Sequence, residues 1–168
     1  MKLFKIKKSN IDKNGLYANC NIKKGTKIVE YKGKVISVEP DPESFRYLEQ
    51  TISANNSSNV LAFQVAASDK KTHLPLYVST ENRGDNRLYA SSEDRTEILV
   101  KTQPLDELLF EHDIEQVDLI KIDVQGYEPK VIEGLKKTIS RSQQIVLITE
   151  FWPKGIKDAG ADAKVFLD

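Results

Sequence analysis

The chain has 168 residues, of which 39% are hydrophobic and 30% charged, as expected for one globular domain with a short appendage. Its 25 basic and 25 acidic residues leave no net charge, which argues against nucleic acid or an anionic membrane surface as a partner. A single cysteine cannot form an internal disulfide, and the two histidines stand apart in the sequence, so we expect no metal site.

The start of the chain predicts small hairpins. Short β-like runs between residues 2 and 37 are broken by turn pairs such as Asn14-Gly15 and Lys24-Gly25. The first ten residues lack the apolar run of a secretion signal, and no stretch could span a bilayer. We therefore expect a cytoplasmic protein.

From Val35 onward, apolar runs alternate with helical patterns. Residues 35–39 (VISVE) predict a strand, and Asp41 with Pro42 predicts the N-cap and first position of a helix over 42–55. Such alternation indicates a parallel sheet with helices on both faces. The later elements are a buried strand at 59–68, an antiparallel hairpin at 73–78 and 96–102, a short helix at 104–112, a buried strand at 117–124, a helix at 128–140 and a buried strand at 144–151.

Acidic side chains end four of these predicted strands. In open α/β sheets, ligands bind outside the carboxyl ends of the strands, and an acid after the second strand typically accepts hydrogen bonds from ribose hydroxyls. The alternative is that each acid only meets solvent or caps the next helix. The four acids are Glu39, Asp69, Asp123 and Glu150.

Two further features predict a polar cleft. Lys121 and Asp123 lie two apart on one strand and share a face, so they form either a catalytic pair or a buried structural ion pair. The loop 82–87 (NRGDNR) has no apolar side chain and is expected to border the cleft. The alternative for this loop is a disordered surface connection.

Residues 33–152 resemble the FkbM family of S-adenosylmethionine-dependent methyltransferases. The resemblance rests on the segments 33–56, 65–69 (VAASD), 81–89, 104–109 and above all 117–135 (VDLIKIDVQGYEPKVIEGL). It implies a Rossmann-like fold, S-adenosylmethionine as the cofactor, and a hydroxyl of a small molecule or sugar as the methyl acceptor. The implied cofactor-binding residues are Glu39, Pro40, Ala67, Ser68 and Asp69. The implied catalytic residues are Asp123 and Lys121, and the implied substrate-binding residues are Asp85, Arg87 and Glu150.

Residues 1–37 resemble instead the opening of a SET domain, the fold of protein lysine methyltransferases. The likeness lies in residues 7–37, including GLYA and EYKG, although the first glycine of that family's glycine pair is replaced and its later catalytic motifs have no counterpart here. We therefore expect an incomplete SET-like β segment over 1–34 and an incomplete FkbM-like domain over 35–168.

The glycines argue for a reduced cofactor site. The chain has eight glycines, and no two are separated by a single residue, so it contains no G-x-G turn. We expect the sheet to lack its first strand and its last strands. Residues 2–31 are then expected to cover the edge of strand 35–39. Because the glycine turn is missing, we also expect cofactor affinity to be weak. The alternatives to an O-methyltransferase are a non-catalytic fused or truncated module and a fragment of a lysine methyltransferase. The sequence leaves open whether the chain forms a homo-oligomer.

Overall fold

A computed structural model of the chain describes residues 4–7, 15–18, 33–91 and 93–167. The chain forms two compact units, Met1–Gly33 and Lys34–Asp168. In the first unit, strands β1 (Phe4–Lys7) and β2 (Gly15–Ala18) pair in antiparallel fashion. The predicted β-like run at 26–31 and the predicted packing of residues 2–31 on strand 35–39 lie outside the described residues.

The second unit alternates strands with helices. Its strands are β3 (Val35–Val38), β4 (Val60–Phe63), β5 (Ala66–Ala67), β6 (Thr72–Ser79), β7 (Arg95–Gln103), β8 (Leu119–Ile122) and β9 (Val146–Thr149). Its helices are α1 (Pro42–Ala54), α2 (Leu105–Glu111), α3 (Glu128–Glu133), α4 (Lys136–Arg141) and α5 (Pro153–Asp158), with a 3-10 turn at Arg83–Asp85. Within the described ranges, no helix is long and apolar enough to cross a membrane.

The strands confirm a mixed α/β fold but not the single predicted sheet. Strand β3 pairs in parallel with β4, and β8 pairs in parallel with β9, as two separate sheets. In a doubly wound sheet of strand order 3-2-1-4-5, β4 and β3 would correspond to strands 3 and 2, and β8 and β9 to strands 4 and 5. The first strand of such a sheet lies between these two pairs, and no described strand occupies that position. The prediction of one sheet through all four apolar runs is therefore wrong, because no described backbone hydrogen bonds join the two halves.

The predicted hairpin forms and is part of a three-stranded sheet. Strands β6 and β7 pair in antiparallel fashion from Thr72–Thr102 to Ser79–Arg95, as the sequence predicts. Strand β7 also pairs in parallel with β5 on its other side, so the predicted strand 59–68 is divided into β4 and β5. Each half of this run belongs to a different sheet, which the apolar pattern alone could not show.

The two strands β8 and β9 are less buried than their sequences predict. Ile122 is 4% exposed and lies in the main core cluster, against which Ile120 also packs. Leu119 points to the opposite face and is 47% exposed. The described helices therefore cover β8 on one face only. The prediction of a sheet buried on both faces is wrong here, and Leu147 on β9 is likewise exposed.

Helix α1 begins as the sequence predicts. The Asp41 side chain accepts a hydrogen bond from the backbone N of Glu43 at 3.2 Å, and Pro42 is the first helical residue. The side chains of Phe45 and Leu48 are partly buried on the face that the helical pattern predicts.

The predicted helix 128–140 is instead two helices, α3 and α4, which separate at Gly134 and Leu135. A Cβ on Gly134 would lie 2.0 Å from the backbone oxygen of Ser68, so the chain passes this point in close contact with the residue after β5. The close contact coincides with the break, and the second helix receives its own cap from Asp106, which lies at the start of α2.

Replacing Asp106 by alanine should lower the free energy of unfolding by about 1–2 kcal/mol. Its carboxylate accepts hydrogen bonds from the backbone N atoms of Lys137 and Thr138 at 2.9 and 2.8 Å, and from the Thr138 hydroxyl at 2.7 Å. Thr138 is completely buried, so its polar groups would lose a partner that water cannot replace. Urea denaturation measures the loss, with the exposed neighbour Glu107→Ala as the control; equal midpoints for the two variants would contradict this capping role.

Candidate functional site

Glu39 is a partly buried carboxylate directly after β3. Its backbone N donates to the Phe63 oxygen at 3.1 Å, which extends the β3–β4 ladder by one residue. One carboxylate oxygen, Oε1, accepts from the backbone N of Asp41 at 2.8 Å, whereas the other makes no hydrogen bond to the described residues. Burial raises the pKa of Glu39, against the lowering effect of the Asp41 N–H. Among the described residues, the turn thus leaves one carboxylate oxygen of Glu39 without a hydrogen bond.

The side chains of the turn after β5 make their contacts within the protein interior. Ser68 is 1% exposed, and its hydroxyl lies 3.1 Å from a carboxylate oxygen of Asp69, to which it donates, and 3.4 Å from the Tyr127 hydroxyl. Asp69 accepts from Lys130 Nζ at 2.8 Å. Burial alone would raise the pKa of Asp69, but the hydrogen bond and charge of Lys130 lower it. These side chains fix β5 to α3, and Ala67 packs against the main core cluster.

The predicted pair at the end of β8 is exposed rather than buried. Lys121 Nζ lies 2.9 Å from Asp123 Oδ2, and the two side chains are 62% and 48% exposed. The alternative of a buried structural ion pair is therefore wrong. The hydrogen bond from Lys121 lowers the pKa of Asp123 and keeps this carboxylate ionised.

The structure brings Asp123 and Glu150 together through Gln125. The amide nitrogen Nε2 of Gln125 donates to Asp123 Oδ1 at 3.1 Å and to Glu150 Oε2 at 3.3 Å. Burial, followed by repulsion from Asp123 and Glu128, raises the pKa of Glu150. Because the pKa of Asp123 is lowered, Glu150 is the stronger base of the two.

The loop between β6 and β7 is ordered by ion pairs. Asp85 accepts two hydrogen bonds from Arg87, each of 2.9 Å, and a third from Arg95 at 2.6 Å. The arginine side chains are only 10% and 3% exposed. Burial alone would raise the pKa of Asp85, but the two arginines lower it. The loop is thus a structured element, and the charges of Asp85 and Arg87 are satisfied within it.

One end of this loop contacts the residues after β3. Arg83 Nη1 lies 3.2 Å from Asp41 Oδ2, and Arg83 Nη2 lies 2.5 Å from Glu43 Oε2. Asp41 also donates its backbone N–H to Glu39, so Arg83 contacts a residue that is itself hydrogen-bonded to the candidate ribose-binding side chain.

The other end of the loop contacts the residues after β8 and β9. The Tyr89 hydroxyl donates to the backbone oxygen of Gln125 at 2.8 Å. The Arg87 guanidinium lies 5.0 Å from the centre of the Trp152 ring, within the range of a cation–π contact. The loop therefore links the carboxyl end of β3 to the carboxyl ends of β8 and β9.

The comparisons with known proteins identify the family. The sequence model of the Methyltransferase FkbM domain matches residues 17–164. The chain belongs to the FkbM methyltransferase family. The match begins inside the segment that resembles the start of a SET domain, so residues 17–37 are shared between that resemblance and the FkbM match.

Two curated relatives of the FkbM chain are methyltransferases by name. This chain is 26% identical to the 2-O-methyltransferase NoeI of Sinorhizobium fredii over 153 residues, which cover 82% of this chain and 61% of that protein. It is 27% identical to Methyltransferase 1 of Beauveria bassiana over 122 residues, covering 60% of this chain and 48% of that protein. The chain thus spans about half to three fifths of the length of these relatives. No solved structure matches it.

FkbM methyltransferases generally use S-adenosylmethionine. The residues after β3 fit the adenosine part of this cofactor, because one Glu39 oxygen has no partner among the described residues and follows a strand end, where nucleotide-binding sheets hold a ribose. Within the described residues, His, Cys, Asp and Glu form no group of three that could hold a metal ion.

Sequence reasoning missed several residues of this FkbM site. Gln125 and Glu128 stand in the segment DVQGYE, where a glycine a few residues after a strand signals a tight turn, so the pattern could have drawn attention to them. The loop prediction includes Arg83 but not its contact with Asp41, which is distant in the sequence. Tyr89 and Trp152 carry no such signal, since their partners are also distant.

Proposed function

We propose that this FkbM domain transfers a methyl group from S-adenosylmethionine to a hydroxyl of a small molecule or sugar, on a Rossmann-like arrangement of its strands. The observation that carries the proposal is the pair of carboxylates, Asp123 and Glu150, which Gln125 bridges at the carboxyl ends of β8 and β9. The printed name of one relative, a 2-O-methyltransferase, supports oxygen as the methylated atom.

Each residue has a distinct role in this proposal. Bound S-adenosylmethionine supplies a methyl carbon that an acceptor oxygen attacks as the carbon–sulfur bond breaks. Glu39 accepts hydrogen bonds from the ribose hydroxyls. Asp123, which Lys121 keeps ionised, accepts a hydrogen bond from the acceptor molecule and orients it. Glu150 takes the hydroxyl proton, because its raised pKa makes it the stronger base.

The loop 82–89 forms the wall of the acceptor site in this proposal. Asp85 and Arg87 shape that wall through their mutual ion pair, and Tyr89 attaches it to the Gln125 turn. Neither Asp85 nor Arg87 needs a ligand to balance its charge, so their effect on the acceptor is through the position of the loop.

A transfer assay tests this function. The purified chain is incubated with methyl-labelled S-adenosylmethionine and a panel of methyl glycosides that carry a free 2-hydroxyl. We expect labelled product, and a decrease in kcat of about 100-fold or more for Glu150→Gln, with Glu115→Gln as an exposed control. Product formation that is unaffected by Glu150→Gln would refute the assigned base.

One observation favours a second candidate, a non-catalytic module. The chain has no G-x-G turn to approach the methionine part of the cofactor. Calorimetry with S-adenosylmethionine separates the two candidates: saturable binding supports the enzyme, whereas no binding together with no labelled product supports the module.

We expect Glu39→Gln to weaken S-adenosylmethionine binding about 10- to 100-fold, because a charge-assisted hydrogen bond is worth about 1.5–3 kcal/mol. Burial raises the pKa of Glu39, so the wild-type affinity should fall as the pH drops through a value above the ordinary glutamate pKa. The variant should show no such step. Calorimetry over a pH series measures both effects, and the exposed Glu49→Gln on α1 is the control. A Glu39→Gln variant that keeps the wild-type affinity and pH dependence would show that Glu39 does not hold the ribose.

A further inference from the structure

Glu128 is a completely buried carboxylate beside the candidate site. It is the first residue of α3 and is 0% exposed. Its Oε1 atom accepts hydrogen bonds from the backbone N atoms of Val124 and Gly126, both at 3.2 Å. Its Oε2 atom has no hydrogen-bond partner among the described residues. Burying a carboxylate in this way costs stability, so packing alone does not explain it.

The turn that Glu128 binds has an unusual backbone. Gln125 has a φ of 53° and Gly126 a φ of 100°, so two successive residues lie in the left-handed region. This region is unfavourable for a residue other than glycine, because its Cβ approaches the backbone too closely. The two N–H groups that Glu128 binds flank Gln125 on either side, so the buried carboxylate supports the backbone at the strained residue.

Gln125 connects this turn to the site in two ways. Its side-chain amide donates hydrogen bonds to Asp123 and Glu150, and its backbone oxygen accepts a hydrogen bond from the Tyr89 hydroxyl. A rotation of the turn would move both contacts at once. The separation of the two carboxylates and the attachment of the loop 82–89 therefore depend on the conformation that Glu128 supports.

We propose that Glu128 is a positioning residue, which acts through the Gln125 turn to set the spacing of Asp123 and Glu150 around the acceptor hydroxyl. This inference rests on the proposed methyl transfer. Glu128 does not touch the acceptor in this role. Its loss should lower kcat and leave cofactor binding unchanged, since the turn is separate from Glu39. A displacement of about 1 Å in such a site costs about 100-fold in rate.

Three variants test the proposal. Glu128→Met keeps a chain of similar length and removes the acceptor, Glu128→Asp withdraws the carboxylate by one methylene, and Glu128→Gln keeps an acceptor oxygen for the two N–H groups. We expect kcat for a methyl glycoside to fall about 100-fold in Glu128→Met and about 10-fold in Glu128→Asp, and to recover in Glu128→Gln. The matched control is Glu133→Gln, an exposed carboxylate on the same helix.

A second measurement keeps the test independent of activity. Hydrogen exchange of the Val124 and Gly126 amides should be faster in Glu128→Met and Glu128→Asp, and protected in Glu128→Gln. Calorimetry with S-adenosylmethionine should give one Kd for all folded variants. If Glu128→Met does not fold, Glu128→Asp decides. Unchanged exchange in Glu128→Asp overturns the support of the turn.

Activity then separates this inference from the proposed function. Unchanged kcat despite faster exchange overturns the positioning role, and so does a Kd that rises as much as kcat falls. The effect of Glu128→Asp should also become smaller when Gln125 is already alanine, because both changes remove the same bridge. Full additivity contradicts action through Gln125. If the wild type makes no product at all, the proposed function fails, whereas the exchange data still report on the turn.

Discussion

Replacing Gly126 by alanine is expected to lower the free energy of unfolding by about 3–5 kcal/mol, the sum of backbone strain and overpacking. Gly126 has a φ of 100°, which side chains rarely adopt. A Cβ there would also lie 2.4 Å from the carbonyl carbon of Gly155. Gly155 cannot move away to relieve this contact, because it packs against the ring of Trp152. A Cβ on Gly155 would lie 2.1 Å from Cε3 of that ring.

Gly160→Ala is the matched control for this variant. Gly160 also has a positive φ, of 85°, but a Cβ on it would have no heavy atom within 4 Å. It should therefore show only the strain, about 1 kcal/mol. Urea denaturation of the two variants isolates the cost of the close approach between Gly126 and Gly155. Equal losses in both would mean that the turn moves aside without difficulty.

Local signals predicted the parts of the fold that local interactions determine. The N-cap at Asp41 and the proline after it act within one turn of α1, so the start of that helix is found from four residues. The strands β6 and β7 were predicted from apolar runs bounded by turn residues, and their pairing needs only the loop between them.

Non-local contacts decided the rest. The break between α3 and α4 coincides with the close passage of Gly134 by Ser68, 66 residues earlier, and with a cap from Asp106. The pairing of β5 with β7, rather than with the continuation of β4, depends on where the hairpin packs. Apolar composition predicted burial of β8 and β9, but burial requires a second covering layer, and the described helices supply only one to β8.

The candidate site shows the same division. A general rule places strand-end acids at one edge of a parallel sheet, so the proximity of Asp123 and Glu150 follows from the pairing of β8 with β9. Gln125 bridges the two carboxylates, and its left-handed backbone conformation could not be predicted from the amino-acid composition of the segment. The contact of Arg83 with Asp41 spans 42 positions and joins two loops, which sequence spacing cannot reveal.

Replacing Asp85 by alanine is expected to lower the free energy of unfolding by about 3 kcal/mol, because it leaves two nearly buried arginines without their shared acceptor. The side chains of Arg87 and Arg95 are 10% and 3% exposed, and both also contact Glu93, which is 55% exposed and holds them less firmly. Asp94→Ala, a change of another acid in the same loop, is the control, since Asp94 is exposed. Urea denaturation of both variants measures the difference.

The pH dependence of this loss follows from the pKa of Asp85. The arginines lower it in the folded state, against the raising effect of burial. A carboxyl group with a lowered folded pKa stabilises the protein above its unfolded pKa, about 3.9, and loses that contribution as the pH falls through the folded value. The difference between wild type and Asp85→Ala should therefore be full at neutral pH and shrink in acid. A loss no larger than that of Asp94→Ala at neutral pH would mean that Glu93 alone neutralises the arginines, and that Asp85 does not order the loop.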